Sequence, residues 1–432
     1  MRISIAYGDD RIPVSVPDDA AVLRAFYPPP VSDSAKAVFT AISSPIGTPP
    51  LDEMISSRKP QKACVVVSDQ TRPVPNDVIL PVLLDVCETA GLSASRVTIL
   101  VGTGMHRQLA DEERRKLVGG RTYERVGSVV DHVATDDSSH RTVGITQSGV
   151  TASVDVRYLD ADLKIVTGHI EPHFMAGFSG GRKGICPGIV DLATIKEFHG
   201  PRLLTNPRSV NGVLDGNPCH AEAASVAEMT GCDFLVNVVL DDEARLVSVV
   251  AGDIEEAFAT GVAMVESHAR VAVPAIPADI VITSGGGGAP LDDTFYQCVK
   301  GIVGALPFVR PGGTMIAAGK CAEGVGSSEF VSLLSRFGAN GDAFTRAVSD
   351  PDWTVVCDQW QVQMLHRATS KARVVFVSEG LSDVDPGIIP VDIVALSDPG
   401  SSLQDVFDRV LLKTASPYVA VVPTGPYVYG VA

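Results

Sequence analysis

Short apolar runs rich in β-branched residues alternate along this chain with amphipathic stretches. The runs ACVVVS (63–68), VTILVG (97–102), LKIVTG (163–168), DFLVNVVL (233–240), DIVITS (279–284), TMIAAG (314–319) and ARVVFVS (372–378) predict strands. Helices are expected over 76–90, 109–118, 254–269, 328–336 and 402–413, and residues 142–157, alternating about Ser148-Gly149, read as a hairpin. Strand and helix in alternation predict an α/β protein with mainly parallel sheets. The segment VAVPAIPAD, near 270–278, breaks the pattern with two prolines before a fresh strand. It divides the chain into a first α/β domain over 1–274 and a second over 275–412. The last apolar run, YVAVVPT, is free to return to the first domain and complete it through 413–432.

The length of 432 residues agrees with two domains, since one ordinary core rarely grows that large. The composition, 45% hydrophobic and 20% charged, is that of a folded globular protein. A net charge of −16 argues against nucleic acid or an anionic membrane as a partner, while leaving an anionic substrate open if the pocket brings its own cations. No apolar run approaches the roughly 20 residues of a membrane helix, and MRISIAYGDD has no signal-like apolar stretch. Eight scattered cysteines without a CxxC pair fit a reducing cytoplasm and speak against a cysteine metal site.

The polar residues gather where apolar strands end. ACVVVS runs into DQTRPVPN, VTILVG overlaps GTGMHRQ, LKIVTG runs into HIEPHFMAGFSGGRKGICPG, and DIVITS runs into GGGGAPLDD. In parallel α/β sheets the ligand crevice lies beyond the carboxyl ends of the strands. Four such loops predict one cavity ringed by Asp69, Arg72, His106, His169, His173 and Lys183. The 168–188 segment sets His169, Glu171, His173, Arg182 and Lys183 among glycines that allow close backbone approach to a ligand. It is not a P-loop, because GFSGGRKGI lacks the spacing and the Ser/Thr after Lys; GTGMHR has Arg107 where a dinucleotide fingerprint needs glycine. Lys183 is open to three readings: covalent nucleophile, anion clamp or surface residue. His169 and His173, four apart, would share a helix face and hold a metal, although the Glu-Pro between them opposes a helix. His132, His140, His220, His268 and His366 read as surface or satisfied histidines.

DQTRP, GTGMHR, GHIEPHFMAGFSGGRKGICPG and KEFHG, followed by YQCVKG (296–301) and DQW (358–360), resemble the nickel-pincer lactate racemase family in order and spacing. The resemblance spans roughly residues 60 to 360. It implies a site in the interdomain cleft and a nickel-pincer nucleotide, a pyridinium-3-thioamide-5-thiocarboxylic acid mononucleotide made by dedicated cofactor-synthesis enzymes. That cofactor would be covalently attached to Lys183, with His199 as protein ligand of nickel. His106 and His173 match the paired acid/base groups and Arg72 the carboxylate clamp. Gln297 and Lys300 match groups that orient the substrate. Trp360 matches the aromatic beside the cofactor, with Trp353 its rival, and Asp69 a supporting residue. The implied activity is racemisation of a small, lactate-like 2-hydroxy acid by hydride transfer. Alternatives are the same mechanism on a larger acid (malate, phenyllactate or a sugar acid), a cofactor-binding non-enzyme, and a zinc hydrolase at His169/His173.

Overall fold

The computed structural model describes residues 1–289, 291–338, 340–350, 352–385, 387–395 and 399–431. Two six-stranded sheets organise them. The first runs Leu246–Gly252, Phe234–Leu240, Leu163–His169, Ala63–Ser68, Val97–Gly102, Ser128–Asp131. Its pairs are parallel except for the edge strand Leu246–Gly252. These strands are apolar at successive positions because both faces are covered. Cys64 and Val66 enter one apolar cluster, while Val65 and Val67 enter another with Ile79, Leu80 and Leu83 of helix Asn76–Thr89.

The second sheet runs Asp392–Ala395, Arg373–Ser378, Val309–Ala318, Ala278–Ser284, Val419–Val422, Ala21–Val22, all parallel. YVAVVPT therefore does not return to the first sheet: Val419–Val422 pairs with Ile280–Thr283. The N-terminus also lies apart from the first sheet. Ala21 and Val22 pair with Ala420 and Val421, and the hairpin of Arg2–Tyr7 with Asp10–Ser15 packs Ile3, Ile5 and Val14 against Ile280 and Ile282. Strand pairing between segments some 400 residues apart leaves no local signal in the pattern.

The expected strands and helices are present within a few residues of their predicted ends, and His140–Ile145 pairs antiparallel with Thr151–Asp155 as the hairpin. Helices the pattern did not mark include Pro218–Thr230, whose buried face mixes small residues (Cys219, Ala223, Ala227) with the polar Glu222 and Thr230, and Gln359–Lys371, which buries Gln359 and Gln361. Among the described residues no helix is long and apolar enough to cross a membrane.

Strand order places the site. In the first sheet, strands following Ala63–Ser68 extend first to one side (97–102, 128–131) and then to the other (163–169, 234–240). The loops after 63–68 and 163–169 thus diverge and open a crevice at the switch point. The second sheet closes over it, with Arg367 of helix Gln359–Lys371 donating to the carbonyls of Leu204 and Ser209 at 2.8 and 3.0 Å.

Candidate active site

A cavity of about 180 Å³ occupies this crevice, and all six residues expected to ring it, Asp69, Arg72, His106, His169, His173 and Lys183, line it. The DQTRP turn organises itself. Asp69 Oδ1 accepts from the backbone N–H and hydroxyl of Thr71 at 3.1 and 2.6 Å, the usual way an aspartate closes a turn on its own chain. Its other oxygen, Oδ2, lies 2.5 Å from Nδ1 of His106. Burial raises the Asp69 carboxyl, but His106, Thr71 and Arg72 outweigh it and hold the group at about 2. An ionised Asp69 takes the Nδ1–H of His106 and leaves Nε2 of this half-exposed ring with its lone pair.

His173 is wired the opposite way. Its Nδ1 accepts from the backbone N–H groups of Met175 and Ala176 at 3.2 and 3.1 Å, so its neutral ring carries the proton on Nε2. Nε2 lies 2.9 Å from Nζ of Lys183, so its N–H donates to the lone pair of a neutral amine. Burial, with Lys183 next, drives His173 well below its ordinary value. Lys183 sits in the 3₁₀ turn Gly181–Gly184, and burial beside Arg72 and Arg182 drives its amine well below 10.5. Asn237, in the middle of strand Phe234–Leu240, accepts from Gly181 N–H at 2.8 Å and fixes this turn. Gly180 is obligatory there: at φ +80, a Cβ would stand 2.7 Å from Asn237 Oδ1.

His199 follows helix Leu192–Phe198 and caps it, its backbone N–H reaching Ile195 O at 3.0 Å. Its Nδ1 also meets the Ile195 carbonyl at 3.0 Å, which leaves Nε2 unprotonated at the cavity. Burial, then Lys183, pushes His199 down to about 3. A neutral, oriented imidazole of this kind is a ready metal ligand.

The second sheet's helices contribute Tyr296, Lys300, Asp358, Trp360 and Gln361 to the cavity. Trp360 lies 4.3 Å from the His199 ring between centroids and donates to the Tyr296 hydroxyl at 2.9 Å. Trp353 instead packs on Phe337 and donates to Gln359, away from the lining. Gln297 stands outside the lining and accepts from Lys300 Nζ. Burial, then Arg72, pushes Lys300 down to about 7.

The two-histidine zinc site does not form. His173 is engaged by Lys183 and two backbone N–H groups, while His169, ending its strand, turns Nδ1 toward Glu171 at 3.6 Å. His132 and His140 are buried or partly buried, with Nε2 atoms 2.9 Å apart. Asp155 beside them is held by both Nε and Nη2 of Arg157. With ring centroids 5.1 Å apart the two nitrogens point nearly at one another, as when one imidazole donates to the other. Sequence reasoning passed over Tyr296 and Asp358, although both lie inside the quoted motifs, and gave Glu171 no partner; it pairs with Arg72.

Fold and site together define an enzyme of two α/β units whose cleft sets two oppositely wired imidazoles beside fixed cations. A model of the lactate racemase N-terminal domain matches residues 7–212, and one of the C-terminal domain matches residues 250–395. The lactate racemase of Thermoanaerobacterium thermosaccharolyticum is 35% identical over 383 residues, 88% of each chain. That of Lactiplantibacillus plantarum is 35% identical over 354 residues, 82% of this chain and 81% of its own. The structure of the T. thermosaccharolyticum apoprotein superposes with a TM-score of 0.90 at 31% identity, covering 100% of both chains. A Thermotoga maritima protein shares the fold at a TM-score of 0.70 and 17% identity, over 94% of this chain and 99% of its own. The chain belongs to the lactate racemase family and is an isomerase.

Proposed function

We propose that this protein interconverts the enantiomers of a short 2-hydroxy acid, lactate or a close analogue, by hydride transfer with a nickel-pincer nucleotide carried on Lys183. The observation that supports this best is the opposite wiring of His106 and His173 on one cavity beside Arg72 and Lys300. The residues fit the cofactor. Lys183 offers a buried amine with a depressed pKa, the nucleophilic form a covalent attachment needs, and His199 offers Nε2 to nickel with Trp360 against its ring. When bound, the cofactor supplies the hydride acceptor; simple proton loss from Cα would build a second negative charge beside the carboxylate.

The chain's own residues do the rest. Arg72 grips the carboxylate through its guanidinium fork, and Lys300 adds a second cation. His106 takes the hydroxyl proton at Nε2 while Asp69 stabilises the imidazolium. Once the planar 2-keto acid has turned its other face, its oxygen accepts a hydrogen bond from the Nε2–H of His173, and the proton that His106 gained returns to that oxygen as hydride returns to Cα. Both imidazoles end in the forms in which they began. The unit built on the first sheet carries both histidines and the cofactor lysine, and the second closes the cleft. All eight cysteines are unpaired, which supports a cytoplasmic setting where cofactor-synthesis enzymes would mature the protein.

The test is isotopic. Lactate deuterated at Cα should racemise in ordinary water while keeping most of its label, with a 2-keto acid trapped on rapid quenching. Washout of the label at the rate of racemisation would mean direct deprotonation and defeat the hydride scheme.

A further inference from the structure

Arg72, the clamp of the proposed function, is not free in the cleft. Its Nε lies 3.0 Å from Oε1 of Glu171, and its Nη1 donates to the Thr71 carbonyl at 3.2 Å. A guanidinium can grip a carboxylate side-on, through Nε and one Nη, or end-on through both Nη groups. Glu171 occupies the side-on edge and leaves only the end-on fork for a substrate. Glu171 is itself held. Its side chain is 14% exposed, the Ser179 hydroxyl reaches Oε1 at 3.4 Å, and Ser179 N–H donates to its backbone carbonyl at 2.9 Å. The buried Nδ1 of His169, which has no hydrogen-bond partner among the described residues, faces Oε2 at 3.6 Å.

The charges around this point are few and countable. Arg72 and protonated Lys300 contribute two positive charges, and Glu171 and the ionised Asp69 two negative, so 2 − 2 leaves no excess positive charge to hold a second anion at the carboxylate subsite. Glu171 also lines a smaller pocket behind the main cavity, together with Arg72, His173 and Lys300. A substrate group long enough to reach past the Arg72 fork into that pocket would meet the Glu171 carboxylate.

We infer that Glu171 is a positioning and specificity residue: it aims the Arg72 fork and turns away a second carboxylate, so the site takes monocarboxylic rather than dicarboxylic 2-hydroxy acids. This rests on the racemase reading above. Two variants test it. Glu171→Gln keeps the shape and an acceptor for Arg72 Nε but removes the charge, whereas Glu171→Ala removes both. Calorimetric titration of the apoprotein with L-lactate and L-malate reads charge selection without turnover. In Glu171→Gln the affinity for malate relative to lactate should rise about tenfold or more, as expected for a like charge removed within several ångströms in a partly buried site. In cofactor-loaded enzyme, Glu171→Ala should lower kcat for lactate by about tenfold while KM rises less, because a loosened Arg72 still attracts the anion but no longer fixes its angle. Glu171→Gln should fall between parent and Ala.

An unchanged malate-to-lactate binding ratio in Glu171→Gln, or a parent-like kcat in Glu171→Ala, would overturn the assignment. If the loaded parent itself fails to racemise lactate, the proposed function falls, and the binding ratio alone decides the role of Glu171. Thermal melting of both variants separates a lost fold from a lost role.

Discussion

Replacing Lys300 with Met removes a cation that the fold holds against its solvation preference. Burial pushes the Lys300 ammonium from 10.5 down to about 7, Arg72 adds to the fall, and Glu171 opposes it. A fall of 10.5 − 7 = 3.5 corresponds to about 5 kcal/mol against the charged form, at about 1.4 kcal/mol for each tenfold change. In the substrate-free cleft, Lys300 is therefore about half charged near pH 7. A bound carboxylate favours the charged form, so binding takes up a proton above pH 7. The apparent affinity for lactate should then fall by about tenfold per pH unit between pH 8 and 9. Titration calorimetry of the apoprotein from pH 6 to 9, in two buffers of different ionisation heat, reads both the affinity and the proton uptake. Lys300→Met should bind lactate more weakly at pH 6 and lose the pH slope.

The same substitution has a stability signature of defined sign. Between pH 7 and 10.5 the unfolded chain holds a proton on Lys300 that the folded protein has released, so stability rises with pH across that window. Below pH 7 the penalty is felt in full. The Met variant should therefore gain most at or below pH 7, with about 5 kcal/mol as the upper bound, and the gain should vanish toward pH 10.5. Parent affinity that stays constant from pH 7 to 9, or a Met variant with the parent's slope, would refute the reasoning.

Arg72→Ala leaves both the substrate carboxylate and Glu171 without their shared partner, a loss of about 2–5 kcal/mol in kcat/KM. Arg72→Lys should recover little, because a point charge cannot serve both Glu171 and a substrate in fixed geometry. Chiral chromatography with lactate, 2-hydroxybutyrate, malate, phenyllactate and gluconate reads the effect; turnover of only an uncharged alcohol would sink the 2-hydroxy-acid assignment. Protein produced with the cofactor-synthesis enzymes should carry a covalent adduct that peptide mass spectrometry maps to Lys183. His199→Ala should keep that adduct and lose nickel by metal analysis, and full nickel retention would reassign His199.

Much of this protein was determined locally and was therefore legible in the sequence. The apolar runs of Ala63–Ser68 and Val97–Gly102 mark strands covered on both faces, and the polar residues at their ends mark the crevice because chain direction alone sends those loops to one side of a parallel sheet. The DQTRP turn is written in its own side chains, Asp69 closing on Thr71 two residues later. The roles at the site were decided only in three dimensions. His106 and His173 are the same residue type, and only the carboxylate behind one and the two N–H groups behind the other make the first an acceptor and the second a donor. Lys300 is marked in the sequence by resemblance alone, and only packing against the first unit buries it beside Arg72. Glu171 became the partner of Arg72 through a contact that joins residues 99 positions apart. The N-terminal hairpin and the strand Val419–Val422 found the second sheet through hydrogen bonds and apolar contacts between distant segments. A periodic pattern records which face of an element is apolar, whereas which partner covers it is set by the competition among all the faces the folded chain brings together.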